Sequence, residues 1–387
     1  MRELTGKNLS ALDKIIDYNI ENGIRLFRIS SDIIPFGSHP VNMMDWKQEF
    51  EEALFLIGRK IKDAELRVSM HPGQYTVLNS PNPAVVENAL LDLEYHADFL
   101  DALDTEPGSK IVLHVGGAYG DKEKAADSFI RIFSRLPERI RKRIVLENDD
   151  KNFTVRDVLE ICGGTGIPAV FDNLHHRLNP PGEYKAEREW IALCGTTWRE
   201  ADGRQKIHYS QPGDMLGAHS KTIDVQQFLD FYSGLPDPGI DIMLEVKDKN
   251  CSAIKCILIA RGAAARELEH EWARYKYLVL SRSAEIYNRI REMLKSKEEA
   301  AAAGFYSLVD RARSLPENNG AEINAAQHVW GYFKKIADTA EKRRFERLLN
   351  EYRTGKSRID ALKKFLLQCA RKYELPYLLQ SYYFYLP

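Results

Sequence analysis

Over its first 260 residues the chain alternates short apolar runs with longer amphipathic stretches. The runs are Ile24–Ile29, Leu66–Met70, Lys110–Leu113, Ile144–Leu146, Pro168–Phe171, Lys206–Tyr209 and Asp241–Leu244. Each is short and rich in Val, Ile and Leu, as strands buried on both faces should be. Segments with helical spacing separate most of them: Asn8–Asn22, Trp46–Asp63, Asn82–Leu103, Lys122–Leu136, Thr154–Gly163 and Asp224–Ser233. The longer stretch Asn179–Gln205 precedes Lys206–Tyr209. Strand then helix, repeated seven times, predicts a parallel sheet, either doubly wound or closed into a β/α barrel. A barrel needs eight strands, and no apolar run precedes Asn8. Either the first strand is absent from this chain or another segment fills its place.

From about Ala265 the pattern is helical throughout. Ala265–Lys297 reads as one long helix, followed by Gly304–Ser314, Ala325–Ala337, Ala340–Thr354 and Arg358–Tyr373. Leu315–Gly320 is a loop by its Pro, Asn and Gly content, and Glu298–Ala303 approaches low complexity. The predicted division is a β/α barrel over 1–263 and an all-α domain over 264–387.

The polar positions choose between the two sheet architectures. Nearly every apolar run ends in ionisable or hydrogen-bonding residues: RISSD, SMHPGQ, LHVGG, LENDD, FDNLHH, KIHYSQ and LEVKDK. In a barrel all these ends converge on one rim, where active sites lie. A doubly wound sheet would concentrate chemistry at one switch point and usually needs a glycine-rich phosphate turn. The chain has no GxGxxG and no GxxxxGK[ST], which favours the TIM-type barrel and a site without a nucleotide cofactor.

Composition adds bounds. A length of 387 residues accommodates a barrel and a smaller domain. At 44% hydrophobic and 29% charged the chain is ordinary globular material. No apolar run approaches the roughly 18–20 residues of a membrane span, and the opening MRELTGKNLS lacks the apolar core of a signal peptide. The five cysteines are scattered and none forms a CxxC pair, so neither a disulfide framework nor a thiolate zinc site is expected. These features point to the cytoplasm and away from a membrane. The net charge of -1 hides an asymmetry. From Arg261 onward there are 24 Lys and Arg against 16 Asp and Glu, a net of +8; residues 1–260 hold 31 against 40, a net of -9. The basic tail mildly favours a polyanionic partner, although a solvated set of helices explains it as well.

The candidate chemistry lies on the predicted rim. His71, His114, Glu147, Asp172, His208 and Glu245 each close a different run, His175 follows Asp172 by three residues, and His219 lies in the loop after Lys206–Tyr209. Alone, any one histidine would be a satisfied surface or core residue. Eight imidazoles and carboxylates converging on one rim would be costly without cations to neutralise them. Four such groups make one divalent site; eight make two or three, with Glu147 or Asp172 bridging. Several closely spaced cations suit phosphodiester hydrolysis, in which they activate water and stabilise the leaving oxygen.

At this point a family resemblance becomes specific. The segments RISSDIIPFGSH (Arg28–His39), MHPGQY (Met70–Tyr75), LHVGG (Leu113–Gly117), LENDD (Leu146–Asp150), FDNLHH (Phe171–His176), KIHYS (Lys206–Ser210) and MLEVKDK (Met243–Lys249) resemble, in order, those of the UV damage endonucleases of the UvsE/UvdE type. That resemblance implies a metal-dependent endonuclease of DNA repair that nicks duplex DNA 5′ of ultraviolet photoproducts. It would use two or three divalent ions: manganese, or magnesium, cobalt or zinc. It implies that His71, His114 and Glu147 hold a first ion. Glu147 would bridge to a second held also by Asp172, Glu245 and a histidine of the Lys206–His219 region, with His175 and His219 belonging to a third. The division of His208 and His219 between ions stays open. Lys206 matches a carboxylated lysine ligand, His39 an active-site histidine near the scissile phosphate, and Gln74 and Tyr75 a pair that probes the duplex at the lesion. Without the resemblance, Lys206 reads as a strand-end surface lysine and Tyr75 as core. Members usually begin with a strand bearing a Gly-Tyr motif, which is missing before Asn8. The tail segments HVWGYFKK (His328–Lys335), YRTGKS (Tyr352–Ser357) and LPYLLQSYYFYLP (Leu375–Pro387) resemble a bacterial helical domain of unknown function, the YbgA type. Its aromatics should mostly pack a helical core, although their interleaving with Lys and Arg also suits stacking on bases. Two other readings remain open: a xylose-isomerase-like sugar isomerase or epimerase on the same barrel, and a catalytically impaired DNA-binding variant.

Overall fold

The computed structural model describes residues 1–296 and 301–386. The low-complexity segment, the end of the helix predicted to reach Lys297, and Pro387 fall wholly or partly outside them. By its internal contacts the chain divides into two compact units: residues 1–223 with 230–257, and residues 224–229 with 258–387.

The first unit contains seven strands: β1 (Leu26–Ile29), β2 (Arg67–Met70), β3 (Ile111–His114), β4 (Ile144–Glu147), β5 (Ala169–Val170), β6 (Lys206–Tyr209) and β7 (Asp241–Leu244). Every pairing is parallel. β1 to β5 form one ladder in sequence order, β6 pairs with β7, and an isolated Asp172–His208 bridge continues the ring from β5 to β6. Among the described residues no eighth strand joins β7 to β1. Across that gap Arg28 Nη1 meets Glu245 Oε1 at 2.5 Å, and Arg67 of β2 reaches Asp241 of β7 at 2.8 Å.

Alternation along the strands shows the closure. Ile111, Leu113, Ile144, Leu146, Ala169, Phe171 and Ile207 belong to the main core cluster, together with helix residues such as Ile57, Leu93, Phe129 and Ile161. Their in-between neighbours Val112, Val145 and Val170 form a separate small cluster with Trp198. Residues two apart on a strand share a face, so the same inner face carries His114, Glu147, Asp172, Lys206 and His208. The interior is therefore layered, with Val112, Val145, Val170 and Lys206 below and His114, Glu147, Asp172 and His208 above.

The lower end is closed by the segment before β6. The Trp198 indole donates to the Ala169 carbonyl at 2.7 Å, and the Arg67 guanidinium lies 5.4 Å from the Trp198 ring centroid. Lys110 Nζ, almost fully buried, contacts Asp202 Oδ1 and the Lys142 carbonyl, each at 2.6 Å.

Helix boundaries show where local chemistry overrode periodicity. The first helix spans Arg2–Glu21 rather than starting at Asn8. Trp46–Asp63 is interrupted at Phe50. In the second unit the single helix expected over Ala265–Lys297 is two, Ala265–Leu280 and Ala284–Lys295. Ser283 leaves helical conformation and its side chain accepts the Ile286 N–H, so a new helix begins where apolar spacing alone ran on. Likewise Asn318 caps Ala321, and the helix expected over Ala325–Ala337 runs from Asn319 to Trp330. This unit packs its own core: Trp330 stacks on Phe345 at 4.3 Å, and Phe333, Leu366, Leu378 and Tyr383 are fully buried. Most of the tail aromatics are thus core, while Tyr332, Tyr377 and Tyr385 are exposed.

Candidate metal centre

Strand register sets the cluster. β3–β4 pairing places His114 directly beside Glu147, and the isolated bridge places Asp172 beside His208. Gly116, just past β3, has φ +114°, and a Cβ there would lie 2.3 Å from Asn79 Oδ1, so only glycine lets the chain turn this tightly behind His114.

Glu147, 1% exposed, stands at the centre. Its Oε2 lies 3.1 Å from His71 Nε2 and 3.5 Å from His114 Nε2, and its Oε1 lies 2.6 Å from His208 Nδ1 and 3.9 Å from His175 Nδ1. Glu245 meets His208 Nδ1 at 3.3 Å with one oxygen and His219 Nε2 at 3.4 Å with the other. Two groups have ligand atoms close enough to share an ion: His71, His114 and Glu147, and Glu147, Asp172 and His208. Glu147 belongs to both.

The histidines are aimed by oxygens behind them. His71 Nδ1 faces the Pro72 carbonyl at 3.1 Å, His175 Nδ1 the Asn148 carbonyl at 2.9 Å, and His219 Nδ1 the Ser210 hydroxyl at 3.0 Å. With Nδ1 held in this way, Nε2 is left to ligate, as in metal sites. Asp172 Oδ1 accepts the His175 N–H at 2.7 Å, which caps the helix Asn173–Leu178 and fixes the carboxylate.

Against this order stands a set of buried atoms with no hydrogen-bond partner: His114 Nδ1, Glu147 Oε1, Asp172 Oδ2, Lys206 Nζ, and both ring nitrogens of His208. The 2.6 Å approach of His208 to Glu147 lacks hydrogen-bond geometry. Buried polar groups are nearly always paired, and leaving one bare costs about 1–3 kcal/mol. Lone pairs of imidazole and carboxylate crowded together without shared protons are the donor set of a divalent cation.

The charge states agree. Burial would raise the Glu147 carboxyl, but His208 and His114 hold it well below the usual range. Burial keeps His114 and His208 below the usual imidazole range, hence neutral and able to ligate. Asp172 is pushed up to about 7 by burial, against His175 and with Glu147. His175, despite burial, is raised to about 9 by Asp172 and Glu147. Lys206, wholly buried one layer beneath His208, is brought down to about 7 by burial and by Arg67.

The structure thus brings together His71, His114, Glu147, Asp172, His175, His208, His219 and Glu245, and places Lys206 inside the barrel rather than on its surface. It does not bring His39 into the cluster. That side chain is exposed on the loop after β1, and its Nδ1 accepts the Val41 N–H at 3.1 Å. Gln74 and Tyr75 are exposed on the loop after β2, Tyr75 to 80%, which overturns the core reading of Tyr75 alone.

The sequence matches the family UV-endonuclease UvdE over residues 1–268. The chain belongs to this UV-endonuclease family. A family relative, the UV DNA damage endonuclease of Clostridium perfringens, is 38% identical over 98% of this chain and 91% of its own length. One from Bacillus cereus is 37% identical over 66% of this chain and 81% of its own. The crystal structure of SacUVDE is 42% identical and superposes with a TM-score of 0.63 over 67% of this chain and 87% of that one. Residues 276–387 match a separate family, a protein of unknown function designated DUF1722.

Several contributors escaped the sequence reading. Arg28, which pairs with Glu245, opens the run end RISSD, but nothing in the sequence names its partner; its alternation with Ile29 is the available signal. Asn148 bonds the Asp172 backbone twice and Asn173 bonds that of Ser210 twice, so both brace the rim. No spacing rule marks such amides.

Proposed function

We propose that this chain is a divalent-metal-dependent DNA repair endonuclease that nicks double-stranded DNA 5′ of ultraviolet photoproducts. The observation that carries the reading is Glu147, shared by two ligand groups and ringed by buried, unpartnered ligand atoms, in a chain of the UV-endonuclease family. His71, His114, Glu147, Asp172, His175, Lys206, His208, His219 and Glu245 would hold two or three ions, manganese fitting this mixed imidazole–carboxylate set and magnesium, cobalt or zinc being alternatives. Ions bound there would supply an acidified water and charge neutralisation for an in-line displacement.

The protein's own part is positional and electrostatic. Glu147 stays anionic and His114 and His208 stay neutral, so the rim is poised to ligate without prior proton loss at those three groups. Lys206, with its amine brought near neutrality, can add carbon dioxide and release a proton, becoming a carbamate and hence an anionic ligand. Arg28 holds one Glu245 oxygen. His39 stands on the rim to meet a phosphate, and Gln74 and Tyr75 project into solvent to probe the duplex. Among the described residues no helix is long and apolar enough to cross a membrane. We place the protein in the cytoplasm, in keeping with its five scattered cysteines, none in a CxxC pair. We draw the domain boundary at 263/264, near the end of the first family match at 268 and ahead of the second at 276.

The test is nicking of irradiated against intact duplex by wild type, Glu147→Gln and His114→Ala. Loss of at least about 10³-fold in either variant, roughly 4 kcal/mol of transition-state stabilisation, is expected. Full activity in a purified, folded variant would refute the assignment.

A further inference from the structure

Among the described residues, six large hydrophobic side chains are more than 60% exposed, and five of them lie on loops that follow a barrel strand: Phe36, Met43, Tyr75, Met215 and Leu216; Tyr184 follows the helix Asn173–Leu178. The exposed apolar residues on helices reach at most 54%. Strand ends put these loops on the rim that holds the ligand cluster. An isolated apolar side chain in water needs no explanation, but their concentration around one mouth marks a surface that meets a partner.

Two of the six differ in how they are held. Met215 and Leu216, 72% and 93% exposed, form the tip of a short hairpin after β6. Its base is an antiparallel bridge between Pro212 and His219. The Gly213 N–H donates to the Ala218 carbonyl at 2.6 Å, the Ser220 N–H to the Gln211 carbonyl at 2.8 Å, and the Ala218 N–H to the Met215 carbonyl at 3.0 Å. Gly217 takes φ +75°, which favours glycine at the turn. The hairpin is therefore pinned at the residue whose Nε2 lies 3.4 Å from Glu245. Leu216 precedes that histidine by three positions, a reach of at most about 11 Å. In the ring order β6 lies across the mouth from β2, whose following loop carries Gln74 and Tyr75.

We propose that Met215 and Leu216 are an apolar wedge that enters the base stack of duplex DNA at the damaged site, opposite the Gln74–Tyr75 probe, and so set preference for damaged over intact DNA. The proposal rests on the endonuclease reading above. A wedge of this chemistry partially unstacks a base step and kinks the duplex, which costs least where pairing is already damaged. Anchoring the wedge through His219 fixes its distance from the phosphodiester held at the cluster.

The experiment uses the full chain and duplexes carrying one defined cyclobutane dimer, with 2-aminopurine beside it to report unstacking. Wild type, Met215→Ser/Leu216→Ser, Leu216→Met and, as a control on an outer helix, Phe55→Ser are compared for manganese bound per chain, affinity ratio of damaged to intact duplex, and fluorescence rise on binding. The double variant should keep wild-type manganese content, lose about 10-fold or more of the affinity ratio, and lose the fluorescence rise. Leu216→Met and Phe55→Ser should retain all three. A double variant that keeps both ratio and fluorescence overturns the wedge. If the double change lowers manganese content, Leu216→Asp alone carries the test, with the same loss expected and wild-type behaviour overturning the proposal. A wild-type protein that binds damaged and intact duplex alike would overturn the endonuclease reading itself, and the wedge with it.

Discussion

Removing the ions should cost the barrel much of its stability, and Glu147→Gln should abolish most of what the ions contribute. An ion that binds only the folded state stabilises it by about 2.7 kcal/mol at 100 times its dissociation constant. On the proposed reading, in which each of the two ligand groups sharing Glu147 holds an ion, two ions contribute about 5 kcal/mol. For a unit of about 250 residues, 1 kcal/mol moves the midpoint by about 2–4 °C, so chelated and manganese-saturated protein should differ by about 10–20 °C. Glutamine keeps the shape of Glu147 but offers one weak ligand oxygen to both groups, so the variant's shift should shrink to a few degrees. The substitution also acts without metal. Glu147 has a depressed folded pKa, so its contribution is present above the unfolded value near 4.5 and is lost as pH falls through the folded value. The metal-free variant should therefore be less stable than metal-free wild type at pH 7, with the gap closing in strong acid. Calorimetry of both proteins after chelation, with and without manganese, reads all of this. An equal manganese-induced shift in wild type and Glu147→Gln would refute the shared-ligand geometry.

Other consequences are separable. Lys206 has a folded pKa near 7 against 10.5 for the free side chain, so the metal-free fold gains stability as pH rises from 7 towards 10.5. Lys206→Met should flatten that rise and, at pH 7, raise metal-free stability by on the order of 4 kcal/mol, while bicarbonate-stimulated nicking disappears. Urea melts at pH 7 and 9.5 with parallel behaviour of the two proteins would contradict it. At the closed end, Asp202→Ala strands the buried Lys110 ammonium and should cost about 3–5 kcal/mol with manganese content intact; a neutral substitution there would show that Lys110 is not charged in the fold. His219→Ala should lower the manganese count by one. A wild-type count of two or three favours the nuclease, whereas a single ion together with epimerisation of free sugars would favour an isomerase.

The sequence disclosed those parts of the molecule in which one physical demand acts on a whole element. β6 and β7 have the predicted ends because the apolar residues Ile207, Ile242, Met243 and Leu244 need cover, and polar residues flank each run. The rim ligands were legible for the same reason: histidines and carboxylates at successive strand ends are too costly to gather by accident. What stayed hidden depends on partners distant in sequence or on a single local bond. Nothing near Ser283 outweighs the apolar spacing of Ala265–Lys295 except one cap hydrogen bond, and that bond splits the helix. Arg28 matters only because β7 arrives beside β1. Without the family resemblance, which makes it a ligand, Lys206 reads as a surface lysine because the chain does not announce which strand face turns inward; two residues of separation from His208 put it there. Met215 and Leu216 are the sharpest case. An exposed leucine looks in sequence like any core leucine, and only the fold shows that it is held out in solvent, by a hairpin fastened to a candidate ligand. Apolar pattern therefore reports the interior well, but a functional surface made of apolar groups is visible only once the interior has been assigned and these residues are left over.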